Sequence, residues 1–383
     1  VDRQTSCPAS IRMTRSLFSD DCKAAPYWWE RTPRPLSVEA ELPATADVVV
    51  IGAGYTGLSA ALQTARDGRD TLVLDAEDLG WGCSSRNGGH VSTSIKPGFE
   101  HLARRYGRDA AFGILKEGHN ALAWIEDFVA AEAIDCDFRV TGKFIGAHNQ
   151  AQYERLGREV DNQIAGLESD GWMVSRAEQH AELGTDLYHG GVVLPKVASV
   201  DPARYHQGLL QRVLDAGATA IDHCPALNID RDGDGFRVTT ARGVIKTRDV
   251  ILASNGYTGP MTPWQRRRII PIGSYIIATE PLSPALMDQL MPQDRMLGDT
   301  RRMVYYYRPS PDRSRILFGG RVSLSETDPF RSGPHLHAEM TRIFPQLADT
   351  RIGHSWMGFV GYTFDTLPHL GVHDGVHYAM GYC

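Results

Sequence analysis

Residues 47–75 read DVVVIGAGYTGLSAALQTARDGRDTLVLD, and this stretch decides the fold. Its apolar run at 48–51 predicts a strand buried on both faces, residues 55–66 predict a helix, and residues 71–74 predict a second strand. A strand, a glycine turn, a helix and a further strand make one βαβ unit with parallel strands. The stretch therefore predicts an α/β fold.

The turn GAGYTG carries glycine at positions 52, 54 and 57. Gly52 permits a tight turn, Gly54 lets the backbone approach a pyrophosphate, and Gly57 lets the helix pack closely on the sheet. The helix that follows offers free amides and partial positive charge to phosphate groups. We therefore predict a dinucleotide site at this turn.

An acidic residue closes the unit. Asp75 ends the second strand, 23 residues after Gly52, and Ala76 follows it. A carboxylate at this place accepts hydrogen bonds from the ribose hydroxyls of a dinucleotide and disfavours a 2′-phosphate. An NADP site is therefore not expected.

The loop after Asp75 distinguishes FAD from NAD. Residues 80–90 read GWGCSSRNGGH, where a nicotinamide-binding domain usually continues with another plain βα unit. A loop dense in glycine and hydrogen-bonding side chains can run along a flat, extended ligand and offer it backbone amides. We therefore predict FAD, with an NAD-dependent dehydrogenase or a mere solvent loop as the alternatives.

Length and composition limit the other possibilities. A chain of 383 residues favours two domains around one shared site, and its net charge of −6 gives no reason to expect nucleic acid or an anionic membrane as a partner. The six cysteines include no CxxC pair and no histidine at zinc-ligand spacing, so we expect a reduced, cytoplasmic protein without a metal site. No apolar run reaches the roughly 18 to 20 residues that span a bilayer. The oligomeric state is left open.

Coarser patterns cover the rest of the chain. Residues 99–185 are expected to be mainly helical, with an alternating segment at 138–145. One buried helix face is predicted from the apolar spacing of Ala121, Leu122, Trp124, Ile125 and Phe128. Further strands are predicted at 268–279, 303–308 and 315–318.

Residues 1–45 are rich in proline and charge and lack sustained periodicity, which indicates an irregular arm. Tyr27, Trp28 and Trp29 form an aromatic group within it. We interpret this group as an anchor that packs the arm onto the body, with a lid over a substrate entrance as the alternative.

Together these motifs resemble the DAO superfamily of FAD-dependent amine oxidoreductases. Within it, the chain resembles the bacterial gamma-glutamylputrescine oxidase-like branch, where a GWGxSxRNGG loop follows the first βαβ unit. Matches extend from Tyr27 to Cys383. Besides the loop they are GG at 190–191 through VDP at 200–202, ASNGY at 253–257, IPIGSY at 270–275, ATEPL at 278–282, FGGR at 318–321 and WMG at 356–358 with Asp365 and Pro368.

The resemblance implies an α/β protein, α+β overall, with a Rossmann-like FAD-binding domain. A discontinuous substrate domain, made of an antiparallel sheet plus helices, would be inserted into it. After the arm at 1–45, the FAD-binding domain would comprise 46–98, 190–262 and 351–383, and the substrate domain 99–189 and 263–350.

The resemblance also implies which residues contact the cofactor. The loop from Gly82 to Gly89 would run beside the flavin and the ribityl chain, Ala226 and Leu227 would flank the adenine, and residues 253–255 would end a strand beneath the dinucleotide. The whole predicted cofactor set is Gly52, Gly54, Tyr55, Thr56, Gly57, Asp75, Ala76, Gly82, Cys83, Ser84, Ser85, Arg86, Asn87, Gly88, Gly89, His90, Ala226, Leu227, Ala253, Ser254, Asn255, Trp356 and Gly358.

Two departures from the family pattern bear on the cofactor. In the sarcosine-oxidase branch a cysteine tethers the flavin, whereas the matching position here is Gly358, so we expect non-covalent FAD, with a histidyl link through His90 as the alternative. In the family the strand at 377–383 runs into a glycine-rich turn and helix, and this sequence stops at Cys383. We expect a fragment at both ends, with weaker FAD binding if the molecule ends there.

The reaction implied is hydride transfer from the carbon that bears an amine to flavin N5. The product is an imine that hydrolyses, and oxygen or another acceptor takes the electrons. The substrate would be a small amine or amino acid, and His90 is the catalytic candidate because the reacting amine must be neutral. A catalytically inert flavin-fold protein is the remaining alternative.

Candidate substrate residues follow from the aromatic and arginine cluster at 301–308. An arginine fork such as that of Arg302 suits a carboxylate. Alternation along a strand puts Tyr305 and Tyr307 on one face, where a substrate role and ordinary sheet packing are both open. Tyr257 is a further candidate for contact with the ring or the substrate.

Overall fold

The computed structural model describes residues 17–35, 41–303, 305–322 and 327–382. The chain divides into two compact units. Unit 1 comprises Val1–Tyr27, Arg139–Ser199 and Ser274–Met357, and unit 2 comprises Trp28–Phe138, Val200–Gly273 and Gly358–Cys383. The arm predicted at 1–45 and the strand predicted to reach Cys383 lie partly outside the described residues.

Helices and strands alternate along most of the described chain. The helices are α1 Trp28–Arg31, α2 Tyr55–Arg66, α3 Phe99–Tyr106, α4 Arg108–Ala131, α5 Gln150–Asp161, α6 Pro202–Asp215, α7 Pro263–Arg266, α8 Pro284–Leu290 and α9 Pro329–Ile343. The strands are β1 Phe18–Lys23, β2 Thr45–Ile51, β3 Thr71–Leu74, β4 His90–Ser92, β5 Arg139–Val140, β6 Lys143–Gly146, β7 Trp172–Val174, β8 Gly191–Leu194, β9 Val197–Ser199, β10 Thr219–Ile221, β11 Ala226–Asp232, β12 Gly235–Thr240, β13 Gly243–Leu252, β14 Ile270–Thr279, β15 Met296–Asp299, β16 Tyr305–Pro309, β17 Ile316–Gly320, β18 Ile352–Tyr362, β19 His369–His373 and β20 Val376–Met380.

The sheet of unit 2 is built around β2. Strands β10, β3, β2 and β13 lie side by side and run parallel, and β12 and β11 continue from β13 as an antiparallel meander. The hairpin of β19 and β20 joins through β20, which runs parallel to the end of β13. Val48, Val49 and Val50 are fully buried, as expected for a strand covered on both faces. The predicted Rossmann-like arrangement is confirmed.

Each face of this sheet has its own hydrophobic core. On one face Val48 and Val50 pack with α2 and α6, through side chains such as Leu58. On the other face Val49 packs with the meander, through side chains such as Phe236. Helix α2 and strand β3 begin and end at the residues that the sequence predicted.

Helix α4 buries a different stripe from the one predicted. Its buried residues are Ala111, Gly118, Leu122 and Val129, which recur at intervals of four or seven. Trp124, predicted to share this face, is 54% exposed and stacks on Phe128 with ring centroids 4.8 Å apart. Two residues beyond Leu122 correspond to about 200° of rotation around a helix, so Trp124 points away from the stripe. Its predicted burial was wrong.

Residues 99–185 are less helical than predicted. They contain α3, α4 and α5, but also β5, β6 and β7. Strand β5 and most of β6 lie in the alternating segment predicted at 138–145, whereas β7, with three residues, is too short for alternation to reveal it. Helices α3 and α4 belong to unit 2 and α5 to unit 1, so the two units divide the chain at other residues than the predicted domains. The assignment of FAD and substrate domains stays a prediction.

The main sheet of unit 1, within the described residues, has the strand order β1, β18, β14, β17, β16, β15, β6, β8, β7. Its pairs include the antiparallel ladders of β14, β17, β16 and β15 and of β6, β8 and β7, while β6 runs parallel to β15. The predicted strands at 268–279, 303–308 and 315–318 correspond to β14, β16 and β17, with Val304 outside the described residues. The predicted antiparallel sheet with helices is confirmed, apart from the parallel pairs of β6 with β15 and of β1 with β18.

The two faces of this sheet differ in chemistry. One face carries Phe144, Tyr307 and Phe318 and packs against α8 and α9 in an apolar core. Residues that alternate with these point to the other face, which includes Lys143 and Tyr306. Unit 1 therefore has one apolar face and one face that bears polar groups.

The closest backbone approach in the glycine turn gives the first testable prediction. A Cβ on Gly57 would lie 1.9 Å from the Gly52 carbonyl oxygen, whereas a Cβ on Gly113, exposed in α4, would meet nothing within 4 Å. We expect Gly57→Ala to lower the free energy of unfolding by about 1–3 kcal/mol or more, because the backbone must shift.

As a control, we expect Gly113→Ala to raise the free energy of unfolding by about 0.5–1 kcal/mol, since alanine loses less entropy than glycine when it becomes part of a helix. Denaturant unfolding of both variants measures the difference, and equal effects of the two substitutions would contradict this account of the turn.

Candidate functional site

The glycine turn of unit 2 is held by the strand on each side. Gly52 has φ +105°, its amide donates to the Leu74 carbonyl at 2.8 Å, and a Cβ there would lie 2.9 Å from the Ala253 carbonyl oxygen. The next amide, that of Ala53, donates to Oδ2 of Asp75 at 2.8 Å. The turn therefore takes its shape from β3 and from the end of β13.

The Asp75 carboxylate supports the backbone of the glycine turn. Besides the Ala53 amide, it accepts the amide of Glu77 on Oδ1 at 3.1 Å. Burial raises the pKa of this carboxyl above its ordinary value, and the backbone donors oppose that shift. The carboxylate thus fixes the turn whether or not a ligand is bound, and its contact with a ribose stays a prediction.

The first turn of α2 presents backbone amide donors at the N-terminus of the helix. Gly54 precedes the helix and gives it no side-chain cap, so the first-turn amides have no partner within the helix. The amide of Tyr55 donates to Oγ of Ser84 at 2.9 Å, which joins this turn to the next loop. Free amides at a helix N-terminus, with glycine in place of any bulky side chain, fit a pyrophosphate.

The side chain of Asn87 fixes the conformation of the second glycine-rich loop, at residues 80–90. Its Nδ2 donates to the carbonyls of Cys83 and Ser84, both at 3.2 Å, and its Oδ1 accepts the amide of Gly89 at 2.8 Å. The loop contains a short 3-10 turn at Cys83–Ser85 and returns through Gly89 at φ +68°. The asparagine predicted to contact the cofactor is therefore used to shape the loop.

Helix α1 holds the same loop from outside. The indole of Trp28 donates to the Asn87 carbonyl at 2.9 Å, and the indole of Trp29 donates to Oγ of Ser85 at 2.8 Å. Arg31 pairs at 3.2 Å with Asp201, the buried residue that caps α6. Trp28 is fully buried. The aromatic group is an anchor, the first of the two roles considered for it.

Arg86 is stacked between two indoles. Its guanidinium lies 4.8 Å from the ring of Trp29 and 4.4 Å from that of Trp81. Burial lowers its pKa from the ordinary value, although a guanidinium remains charged at neutral pH. The loop therefore carries a fixed positive charge, which suits an electron-rich or anionic ligand group.

Cys83 closes the loop against the final segment of unit 2. Its thiol donates to the Phe359 carbonyl at 2.8 Å and lies 3.6 Å from the Tyr257 hydroxyl. A Cβ on Gly358 would lie 2.7 Å from its sulfur. Burial raises the pKa of the Cys83 thiol, so it stays protonated and weakly nucleophilic. The glycine at position 358 is thus required by the packing of Cys83 and Arg86.

A buried histidine that the sequence did not indicate lies beneath both loops. Nε2 of His206, on α6, is 2.6 Å from the Ala53 carbonyl, and since a carbonyl only accepts, this nitrogen carries the proton. A Cβ on Gly80 would lie 2.9 Å from Nδ1 of the same ring. No motif marks His206, because its role depends on where α6 packs.

The other predicted cofactor residues of unit 2 occupy varied positions. Ala226 and Leu227 begin β11, and Leu227 is 55% exposed. Ala253 directly follows β13 and lies beside the turn, and Oδ1 of Asn255 accepts the amide of Gly381 at 2.9 Å. His90 is half-buried on β4. Their contacts with a cofactor stay predictions.

The predicted substrate residues are more dispersed. Tyr305 and Tyr307 lie in the apolar core of unit 1, where both rings stack on Phe318. Their burial favours sheet packing, the alternative left open by the sequence. Arg302 is exposed, and Trp356 of unit 1, which belongs to the predicted cofactor set, is 1% exposed.

One cluster of two aspartates and a histidine in unit 2 has the composition of a cation site. Asp78, Asp222 and His223 lie close together. Asp78, however, is already paired with Arg34 and, at 2.7 Å, with His223. The group carries no argument for a metal.

Two properties of unit 2, the uncapped helix behind the GAGYTG turn and the charged loop joined to it, are those of a dinucleotide site. The family model described as DAO, FAD dependent oxidoreductase, matches residues 47–383. The chain belongs to this family. It is an FAD-dependent oxidoreductase, and the predicted cofactor is confirmed at that level.

Relatives with assigned names support the same family assignment. The probable oxidoreductase OrdL of Haemophilus influenzae is 31% identical over 345 residues, 88% of this chain and 78% of its own. The gamma-glutamylputrescine oxidoreductase of Escherichia coli is 29% identical over 340 residues, 88% of this chain and 79% of its own. They confirm the resemblance to that branch of the family.

Solved structures share the fold. Glycine oxidase from Geobacillus kaustophilus has a TM-score of 0.72 at 19% identity, covering 89% of this chain and 90% of that one. L-proline dehydrogenase from P. horikoshii has a TM-score of 0.71 at 16% identity, covering 89% of each chain. Among the described helices, none is long and apolar enough to cross a bilayer.

The indole contacts predict an effect of α1 on cofactor affinity. We expect Trp29→Phe to weaken FAD binding roughly two- to tenfold, because a net hydrogen bond of about 0.5–1.5 kcal/mol to Ser85 is lost. Trp28→Phe should weaken FAD binding to a similar extent, because the hydrogen bond from the Trp28 indole to the Asn87 carbonyl is lost. Titration of the apoprotein with FAD, followed by flavin fluorescence, gives the dissociation constants.

Trp172→Phe is the matched control, since Trp172 is 44% exposed on β7 of unit 1. If Trp29→Phe bound FAD as tightly as this control, the anchoring role of α1 would be refuted.

Because His206 is buried, we expect the stability of the protein and its retention of FAD to depend on pH. Burial lowers the pKa of His206 from the ordinary 6.5, so the folded protein keeps the ring neutral while the unfolded chain takes up a proton. Stability and FAD retention should therefore fall as pH drops below about 6.5, down to the lowered folded value. Melting temperature and bound flavin measured from pH 8 to pH 5 test this.

His206→Gln should flatten the profile, since an amide can still donate to the Ala53 carbonyl but does not titrate. His180→Gln, at an exposed histidine paired with Asp186, should leave the profile unchanged. An unaltered slope in His206→Gln would contradict the assignment.

Proposed function

We propose that this oxidoreductase oxidises the C–N bond of a small amine or amino acid. Family membership supports the flavin chemistry. The observation that carries the amine class is the relationship, over most of the chain, to a gamma-glutamylputrescine oxidoreductase. The reaction would yield an imine that hydrolyses in water, with oxygen or another acceptor taking the electrons.

FAD, when bound, supplies the hydride acceptor at N5. The first-turn amides of α2 would hold its pyrophosphate, and Asp75 would accept the ribose hydroxyls. The loop from Gly82 to Gly89 would contact the flavin, with Arg86 placing positive charge in that loop. These residues bind and orient, which is what hydride transfer requires of a protein.

A neutral amine is the second requirement. His90 is our candidate for accepting the proton that an ammonium substrate must lose. The protonated thiol of Cys83 and its hydrogen bond to Phe359 make it unsuited to attack a substrate. A cytoplasmic location also remains part of the proposal.

We further propose that FAD is held without a covalent bond. A cysteine at position 358 would need space that Cys83 and Arg86 already occupy. Acid precipitation should therefore release all the flavin into the supernatant, and flavin retained on the protein would indicate a link at another residue such as His90.

The two alternative functions, an NAD-dependent dehydrogenase and an inert flavin-fold protein, can be distinguished from the proposed one. An NAD-dependent dehydrogenase does not agree with a family that takes FAD. An inert flavin-fold protein would bind FAD and yet leave it oxidised with every amine.

The deciding experiment is anaerobic flavin reduction. We expect at least one amine from a panel of glycine, N-methylglycine, L-proline, putrescine, N-acetylputrescine and gamma-glutamylputrescine to bleach the oxidised flavin band. Dithionite reduction of the same sample shows that the flavin is reducible, and 2-hydroxy acids serve as negative controls. Reduction by dithionite but by no amine would refute the proposed function.

A further inference from the structure

Three consecutive arginines are exposed at the end of α7 in unit 2. They are Arg266, Arg267 and Arg268, and among the described residues no carboxylate pairs with any of them. By contrast, Arg66, also exposed in unit 2, pairs with Glu132 at 2.8 Å. Carboxylates are not scarce, since the chain has 46 acidic and 40 basic residues. Residues 266–268, the arginine surface, therefore keep a positive charge that attracts anions.

The backbone of α7 spreads these side chains apart. The amides of Arg266 and Arg267 donate to the carbonyls of Thr262 and Pro263, at 3.0 and 3.2 Å, as in an α-helix. Successive residues of a helix are rotated by about 100°, so the guanidinium groups fan out and do not converge on one point. A compact anion such as phosphate needs converging donors, whereas the broad acidic surface of a protein fits a fan of charges.

An aromatic stack fixes α7 on the hairpin of β19 and β20. The guanidinium of Arg268 lies 3.7 Å from the ring centre of Trp264, and its Nη1 donates to the Trp264 carbonyl at 2.9 Å. The same indole stacks on His373, with ring centroids 4.2 Å apart. The carboxylate of Asp374, in the hairpin turn, lies 3.3 Å from Nε2 of His373. Arg268 thus holds the structure, and the other two arginines remain for a partner.

Contacts within unit 2 link the arginine surface to the glycine turn. The ring of Trp264 lies 5.4 Å from that of Tyr378 on β20, and Tyr378 lies opposite Leu252, the last residue of β13. The next residue, Ala253, lies against Gly52 of the turn. A protein bound at the arginine surface would therefore be held on the unit whose turn is predicted to bind FAD.

We propose that the arginine surface of unit 2 binds an acidic one-electron carrier protein, which reoxidises the flavin. The two electrons of reduced FAD pass singly to two carrier molecules, and the proton on N5 goes to water. The carrier is the oxidant of this step. The inference deepens the proposed function, on which it rests for a flavin that becomes reduced, and it names the class of acceptor that was left open there.

The first test measures binding without electron transfer. Reduced plastocyanin, an acidic carrier that cannot take up a further electron, is titrated into the oxidised, FAD-loaded protein in a calorimeter. We expect Arg266→Glu combined with Arg267→Glu to raise the Kd about tenfold or more, because like charges then face each other. Arg268 is left unchanged because it holds Trp264. Reduced cytochrome c, a basic carrier, should bind the wild type at least about tenfold more weakly than plastocyanin does.

Arg104 and Arg105 provide the matched control. They are adjacent and exposed on α3 of unit 2, and they too have no carboxylate partner within the described part of the chain. Arg104→Glu combined with Arg105→Glu changes the net charge by the same amount and should leave the Kd unchanged within about twofold. Equal losses of binding in the two double variants, or no loss in either, would overturn the proposal.

Flavin content and melting temperature identify variants that fail to fold. If the charge reversal at 266 and 267 is among them, Arg266→Gln combined with Arg267→Gln keeps the comparison possible, since it removes the charges without reversing them.

The second test needs no amine. The FAD-loaded protein is reduced with dithionite without oxygen and mixed with oxidised plastocyanin, and the return of the oxidised flavin band is followed. We expect the rate to fall about tenfold or more between about 20 and 200 mM salt, and equally in the variant reversed at 266 and 267. Reoxidation that depends on these arginines in a protein that no amine reduces would support the surface and refute the proposed function. Reoxidation that depends on neither salt nor arginines would refute the surface alone.

The same variants distinguish two other occupants of the arginine surface. Vesicles of phosphatidylcholine mixed with phosphatidylglycerol test for an anionic membrane, and sedimentation of the protein alone tests for a second copy. If plastocyanin does not bind, and reversal at 266 and 267 but not at 104 and 105 abolishes vesicle binding or a dimer, the proposal is overturned in favour of that occupant.

Discussion

The contact between the first turn of α2 and the carbonyl of Gly52 is the constraint on which unit 2 depends. With no side chain at Gly57, the helix lies directly on the turn, and its N-terminus ends up at the edge of the parallel sheet. Asp75 and His206 hold the same short stretch through Ala53, one at its amide and one at its carbonyl. Ser84 then ties the second loop to the helix. The amides that suit a pyrophosphate are therefore arranged by the protein before any ligand arrives.

The sequence predicted the local parts of this site well, because they depend on residues close together in the chain. The glycine turn, helix α2, strand β3 and Asp75 all lie within 29 residues and lie where they were expected. The two-sided burial of β2 followed from its unbroken apolar run.

Prediction failed where a residue's role depends on a distant partner. Trp124 has the composition of a core residue, yet its angular position on α4 exposes it. His206 supports a carbonyl 153 positions earlier in the chain, which no local pattern reveals. The tyrosines of β16 could be assigned to alternate faces, but only the packing of Phe318 shows which face is the core.

Residues that precede the family match, those of helix α1, help to hold unit 2 together. The match to the family model begins at residue 47, whereas the indoles that hold the loop at 80–90 are at positions 28 and 29. A domain cut at the family boundary would keep every glycine of both loops and the whole βαβ unit. It would nevertheless lose two hydrogen bonds to the second loop and the arginine that pairs with the cap of α6. The functional unit is thus longer than the stretch by which the family is recognised.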